Sequence, residues 1–82
     1  SIGVHSKIKH KYAFENMKNA YESNYYEAGV RLAIMYKDGV GVEQDHKKAY
    51  STIKKTYLKH KLIDACYTWG LFFLEGVGIQ AD

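Results

Sequence analysis

The chain has 82 residues, of which 46% are hydrophobic and 26% charged, and it contains no proline. This length allows one domain at most, and this hydrophobic content excludes an intrinsically disordered tail. The net charge of +3 is well below the density of basic residues expected in a dedicated nucleic-acid-binding protein. Because the commonest helix breaker is missing, an all-helical chain is readily accommodated.

The sequence indicates neither a leader nor a membrane span. No basic stretch followed by an apolar one opens the chain, and the longest nearly apolar run, residues 66–74, is too short to cross a bilayer. The single cysteine, Cys66, has no partner for an internal disulfide and lies in an apolar helical stretch, which predicts a buried structural thiol. Localisation is left open, since a leader or anchor could lie outside these residues.

The first two predicted helices span about residues 6–22 and 25–37. In the first, apolar residues recur at helical spacing with lysines between them, which is typical of an amphipathic helix. In the second, small and apolar side chains form one stripe, and Asn24 just before it is a favourable N-terminal cap. The two apolar sets are Ile8, Tyr12, Phe14, Met17, Ala20 and Tyr21, and then Ala28, Leu32, Ala33 and Tyr36.

Two further helices are predicted over about residues 46–59 and 62–75, and they repeat the first two. The third matches the first at a spacing of 36, and its apolar side holds Ala49, Tyr50, Ile53, Thr56 and Tyr57. The fourth matches the second at a spacing of 37, so that Ala65, Trp69, Gly70 and Phe73 correspond to Ala28, Leu32, Ala33 and Tyr36. The extra residue is assigned to the loop between helices, where insertions are tolerated best.

The segment of residues 39–45 recurs at residues 76–82. Each copy predicts a tight turn between helices, in which glycines supply positive φ angles, an aliphatic residue anchors the turn to the core and an aspartate caps the following helix. The residues with these roles are Gly39, Gly41, Val42 and Asp45 in the first copy and Gly76, Gly78, Ile79 and Asp82 in the second. Since Asp82 has no helix after it, one side of residues 62–74 is expected to lack cover.

The two copies resemble Sel1-like repeats, which are relatives of the tetratricopeptide repeat. The family pattern combines an alanine, a leucine-glycine pair, a tyrosine, a glycine-x-glycine-valine turn, an aspartate and a lysine-alanine pair. The match begins near residue 11 and covers most of the chain. It is carried by Ala28, Leu32, Ala33, Tyr36, Gly39, Gly41, Val42, Asp45, Lys48 and Ala49, and again by Ala65, Trp69, Gly70, Phe73, Gly76, Gly78, Ile79 and Asp82.

The resemblance implies an all-α fold, an α/α solenoid of antiparallel helix pairs with about four helices. Residues 1–82 are then expected to form a single repeat domain and a segment of a longer array, with a partial repeat at 6–22, a full repeat at 25–60 and a truncated repeat at 62–82. Three departures place larger groups at close helix contacts, which predicts wider or more twisted packing. Ala33 replaces a glycine, Trp69 replaces a leucine, and Thr56-Tyr57 replaces a small alanine pair.

No catalytic or metal-binding constellation is indicated. The Gly-x-Gly segments lack the following glycine, lysine or serine of a phosphate loop and have no preceding strand, which favours a structural turn. The histidines form no pair at ligand spacing with a third donor, and none is expected to form a dyad with Cys66. The sequence therefore predicts no enzyme activity, no metal and no cofactor. The four histidines are His5, His10, His46 and His60.

The second and fourth helices, called the front helices, carry the predicted partner surface. If their apolar stripes pack inward, the side chains at the other helical phase face the concave surface of the array. They form an apolar line flanked by acids, which resembles the ligand-facing set of tetratricopeptide grooves. Contact with neighbouring repeats alone remains the alternative. The predicted set is Glu27, Val30, Ile34, Lys37, Asp38, Asp64, Tyr67, Leu71, Leu74 and Glu75.

The resemblance implies an adaptor or scaffold that binds a protein or peptide partner on this concave face, without catalysis. The alternative is anion or nucleic-acid binding through the six lysines of residues 47–61, whose plainer interpretation is a solvated outer face. The tyrosines of the back helices, the first and third, are predicted to lie on the buried stripe, so the lysine strip lacks stacking partners for bases. Self-association through the uncapped C-terminal repeat is also expected.

Overall fold

The computed structural model describes residues 2–79, with side chains described from residue 6 onward. The helices are α1 (Ile2–Glu22), α2 (Glu27–Asp38), α3 (His46–His60) and α4 (Ile63–Glu75), and the described residues contain no strand. The predicted all-α class with four helices is therefore confirmed. None of the described helices is long and apolar enough to cross a membrane.

Helix boundaries differ from the predicted ones by at most two residues, except at the start of α1. That helix begins at Ile2 and not near residue 6. No proline or turn pair interrupts residues 2–6, so nothing local prevents the helix from extending backwards.

Asn24 ends α1 and does not cap α2, so the predicted capping role was wrong. The cap position of α2 is Tyr26, which makes no side-chain capping hydrogen bond. Asn24 has a φ of 71°, its N–H donates to the Tyr21 carbonyl at 3.1 Å, and the next N–H, of Tyr25, donates to Ala20 at 3.0 Å. Asparagine tolerates the left-handed region, and this pair of bonds is the usual way of closing a helix C-terminus.

Lys61 closes α3 and is also left-handed, with a φ of 55°, but its N–H donates to the carbonyl of Tyr57, four residues back, at 2.7 Å. It lies 37 residues after Asn24. The extra residue of the second copy therefore falls before Lys61, in the last turn of α3, and not in the loop where it was predicted.

The core lies where α2 and α3 meet their neighbours. α2 contacts α1, α3 and α4, and α3 also contacts α4. Leu32, Ala33, Ala49 and Ile53 are buried at the centre, and Phe72 of α4 is only 2% exposed. Phe14 of α1 meets Tyr36 edge to face, with ring centroids 5.3 Å apart.

The two glycine turns have matching geometry. Gly39, Gly41, Gly76 and Gly78 have φ angles of 71°, 74°, 72° and 72°. A Cβ on Gly41 would collide with the carbonyl of His10, and a Cβ on Gly78 would collide with that of His46, which lies 36 residues later. Both turns therefore cross the preceding back helix at equivalent points.

The remaining turn residues are Val42 and Asp45 in the first copy and Ile79 and Asp82 in the second. Val42 packs against the core, and the Asp45 carboxylate accepts from the Lys48 N–H at 3.0 Å. Ile79 is half-buried. Asp82, the predicted second cap, lies outside the described residues.

Several side chains predicted to be buried are exposed. On α1, Tyr12 is 66% exposed and Ile8 is also exposed, because α1 packs along α2 and no described helix packs along its other side. On α4, Cys66 and Gly70 are exposed and Phe73 is 64% exposed. The helix that covers the equivalent face of α2 is α3, and no described helix has that place beside α4.

Candidate functional site

A groove of about 890 Å³ lies between the front helices α2 and α4. It is formed by the N-terminal half of each helix and by the residues just before it. Tyr25 precedes α2, and Lys61 and Leu62 precede α4. The groove exists because α2 and α4 contact each other while both pack on α3.

Five of the ten predicted partner-surface residues line this groove. These are Glu27, Val30, Ile34, Asp64 and Tyr67. Four of them occupy equivalent positions of the two front helices, since Asp64 follows Glu27 by 37 residues and Tyr67 follows Val30 by the same interval. The counterpart of Ile34 is Leu71, which does not line the groove.

The other five predicted residues lie in the C-terminal parts of α2 and α4, outside the groove lining. Lys37 and Asp38 form an ion pair with a 3.5 Å separation, and the Lys37 ammonium lies 5.8 Å from the ring centroid of Phe72. Leu71, Leu74 and Glu75 are exposed on α4. The structure therefore brings the N-terminal members of the predicted set together in the groove and leaves the C-terminal members outside it.

Six further lining residues were missed by the sequence interpretation. Arg31 is one helical turn after Glu27, and its counterpart on α4 is Thr68, so an i, i+4 search from Glu27 and Asp64 could have found both. The others lie at or just before the start of a helix, where helical periodicity carries no information. The six are Tyr25, Arg31, Lys61, Leu62, Ile63 and Thr68.

The groove combines half-buried and exposed apolar surface. Val30 and Leu62 are half-buried and pack against the core, which makes them suitable for the floor. Ile63, Ile34 and Tyr67 are exposed, with Tyr67 at 69%. Exposed apolar side chains gathered in one concavity usually mark a binding surface, because a partner can remove them from water.

Four charged side chains line the same groove, namely Glu27, Asp64, Arg31 and Lys61. Lys37 and Asp38 form the one ion pair among the described side chains, so the four groove charges do not neutralise each other. Glu27 and Asp64 lie in the first turns of α2 and α4. The helix dipole stabilises negative charge there, so both carboxylates are well placed to accept from a cationic partner group.

The lysines of α3 form a separate basic surface. Lys54, Lys55 and Lys59 line a shallow depression of about 440 Å³ with Ser51 and Leu58. The tyrosines of α3, Tyr50 and Tyr57, are half-buried. Tyr12 of α1 is exposed, so the expected burial of the back-helix tyrosines was wrong for that residue.

No three His, Cys, Asp or Glu side chains come together as a possible metal site in the part of the chain that the structure describes. No protein-family model matches the chain, and no solved structure matches it with significance. The geometry of the groove between α2 and α4 is therefore the basis for inferring a function.

Proposed function

We propose that this chain is a non-catalytic protein-interaction module of the Sel1-like kind, an α/α solenoid segment that binds a peptide of its partner in the groove between α2 and α4. The observation that carries the proposal is the coincidence, in one concavity of about 890 Å³, of exposed apolar side chains with four charges that form no ion pair with another described side chain. A peptide that buries the former and pairs with the latter gains affinity and specificity together.

The solenoid part of the proposal is supported by correspondences between the copies. Gly41 and Gly78 cross the back helices at His10 and His46, and left-handed residues close both back helices. Contacts run between neighbours in chain order, with an added contact between the front helices α2 and α4. Repeat arrays are built from such local contacts, and they use the surface of the stacked front helices for binding.

The groove chemistry indicates the kind of peptide. A large apolar side chain fits against Val30, Ile34 and Tyr67, and a lysine or arginine beside it can pair with Glu27 or Asp64. The proposed ligand is therefore a segment in which an apolar anchor is flanked by a basic residue.

Selection from random peptides displayed on phage tests the proposal without knowledge of the natural partner. Peptides enriched on the wild-type chain should contain the apolar and basic pair. Tyr67→Ala and Ile34→Glu should each weaken their binding about tenfold or more, because the loss of a central anchor typically costs about 2 kcal/mol or more, and tenfold corresponds to about 1.4 kcal/mol. Binding is measured by fluorescence anisotropy, and helicity by circular dichroism.

Leu74→Ala is the matched control, since Leu74 is an 81% exposed apolar side chain on the same helix but outside the groove. It should leave peptide affinity unchanged. The proposal fails if Tyr67→Ala, with unaltered helicity, binds the selected peptides as tightly as the wild type does.

A second candidate function, anion or nucleic-acid binding, has one observation in its favour: α3 contains no acidic residue, and its lysines Lys47, Lys48, Lys54 and Lys55 are exposed. It predicts that a single-stranded oligonucleotide binds with an affinity that falls steeply with salt, and that Lys54→Gln with Lys55→Gln weakens it. Salt-independent binding would contradict this candidate.

A further inference from the structure

One face of α2 is covered by α3 in a specific way. Gly29 lets α3 approach so closely that a Cβ there would collide with the Thr56 hydroxyl. Ala33 is fully buried in the core shared with α3, and the Lys48 ammonium lies 5.7 Å from the Tyr36 ring centroid. The packing surface of α2 for a back helix thus consists of small residues near the start and middle of the helix, followed by an aromatic residue.

α4 has the same packing surface, and no described helix covers it. The residues 37 positions after Gly29, Ala33 and Tyr36 are Cys66, Gly70 and Phe73, and all three are exposed. A Cβ built on Gly70 would meet no described atom within 4 Å other than those of its chain neighbours and its own helix backbone. Glycine in mid-helix lowers helix stability, which is offset when it lets another helix approach closely, as Gly29 does on α2.

The opposite end of the molecule carries the complementary surface. α3 covers α2 and α4 with Ala49, Ile53 and Thr56, each fully buried. The residues 36 positions earlier on α1 are Ala13, which is exposed, and Met17 and Ala20, which are half-buried. α1 packs along α2 and touches α3 through the Tyr21 hydroxyl near its C-terminal end. The side that α3 uses for a preceding front helix is open on α1 at Ala13.

Charge favours contact between the two helices that carry these open surfaces. α4 carries the carboxylates of Asp64 and Glu75 and no basic side chain. α1 carries four lysines against the two glutamates Glu15 and Glu22. The net negative charge of α4 and the net positive charge of α1 attract the two helices, whereas pairing α4 with a second α4 would bring like charges together.

We propose that α1 of a second copy of this chain docks on α4 in the way that α3 docks on α2, giving a head-to-tail assembly. Gly70 takes the place of Ala33, and Phe73 takes the place of Tyr36 beneath Tyr12 of the second copy. The two surfaces are different, so each added copy presents a new open α4, and the assembly grows with concentration and does not stop at a dimer. Gly70, Phe73, Ala13 and Tyr12 do not line the peptide groove, so the contact itself does not depend on that site.

Solution mass across a concentration series, by light scattering in reducing buffer, tests the proposal on the 82-residue chain. Gly70→Gln blocks the α4 surface and Ala13→Gln blocks the α1 surface, and both positions are open in the single chain. The wild type should exceed dimer mass as concentration rises, while each variant alone should be monomeric. An equimolar mixture should form a one-to-one heterodimer and nothing larger, because one functional surface remains on each variant.

Lys55→Gln, an exposed change on α3 away from both surfaces, is the control and should assemble like the wild type. Should either glutamine variant lose helicity, Phe73→Ser and Tyr12→Ser, at side chains that are 64% and 66% exposed, replace it with the same expected outcome. A wild type that is monomeric throughout overturns the proposal. So does self-association of Ala13→Gln alone, which would mean an α4-to-α4 contact, or a mixture that stays monomeric.

Discussion

Gly41 lies where the first glycine turn crosses α1. Its φ is 74°, and a Cβ would collide with the His10 carbonyl and lie 2.9 Å from the Phe14 Cβ. Two separate demands, a left-handed backbone and the absence of a side chain, thus require glycine at this position.

Gly41→Val should lower the free energy of unfolding by about 2–5 kcal/mol, since a β-branched residue is strained at this φ and overpacks the contact. Thermal or urea unfolding followed by circular dichroism measures the loss. An unchanged unfolding midpoint would mean that the turn does not cross α1 as described.

Gly29 and Thr56 explain how a larger residue is accommodated between α2 and α3. Thr56 is fully buried, its hydroxyl donates to the Thr52 carbonyl at 2.7 Å, and the same oxygen lies 3.5 Å from the Tyr21 hydroxyl. The sequence interpretation expected residues 56 and 57 to push the repeats apart. At this contact the missing side chain of Gly29 provides the space for Thr56.

Gly29→Ala should therefore destabilise the chain by about 1–3 kcal/mol through overpacking, even though alanine is favoured by about 1 kcal/mol in a helix. Gly70→Ala is the matched control. It is also a glycine within a front helix, but its Cβ would meet no atom, so we expect a gain of about 0.5–1 kcal/mol. If both variants change stability in the same direction, the close approach of α2 to Thr56 is disproved.

At the scale of the element, α3 is the helix whose start is best defined. Asp45 is extended, with φ −149° and ψ 96°, and its carboxylate accepts from the Lys48 N–H, while its own N–H donates to the Tyr36 carbonyl at 2.8 Å. These bonds tie the end of α2 to the start of α3.

Asp45→Ala should cost about 0.5–2 kcal/mol, the usual loss for an N-terminal cap. Chemical denaturation measures it, with Glu43→Ala as the control, because Glu43 is an exposed acidic residue of the same turn. A loss of equal size in both variants would attribute the effect to net charge and not to capping.

The helices could be predicted from the sequence because their stripes of small and apolar residues are local patterns. The faces of these helices that are covered could not be predicted from such local patterns, because burial depends on the neighbouring helix. Tyr36 and Phe73 occupy equivalent positions, yet the first is buried under α3 and the second is exposed. Asn24 misled the cap assignment for a related reason, since the same residue type suits a helix start and a left-handed helix end.

The candidate site was predictable in part. Glu27, Val30, Ile34, Asp64 and Tyr67 follow from helical phase alone. Lys61 and Leu62 do not, because their position depends on the left-handed turn that closes α3 and directs the chain into α4. Periodicity identifies the side of a helix, but where the groove ends depends on how two helices meet.

On the scale of the whole molecule, the groove and the uncovered face of α4 are separate surfaces of the same helix. The open face of α1 lies at the opposite end of the molecule. If a second copy docks on α4, the α2 helix of that copy is expected to lie beside α4, as α2 and α4 lie side by side within one chain. Assembly would then lengthen the groove. The peptide surface itself does not require assembly, since residues of one chain line it.

Gly70→Gln should therefore abolish growth with concentration and leave the affinity for a groove-selected peptide within about twofold of wild type, a change below about 0.5 kcal/mol. Anisotropy titrations at a concentration where both proteins are monomeric check this. A large loss of affinity would mean that the peptide binds across two copies.

The most direct test of the central claim is NMR mapping of backbone amides as a groove-selected peptide is added to the wild-type chain. Peptide binding between the front helices predicts that the shifted amides cluster in residues 27–34 and 61–68, with little change along α3. Shifts concentrated in residues 54–59, or on the uncovered face of α4 at Gly70 and Phe73, would contradict binding in the groove.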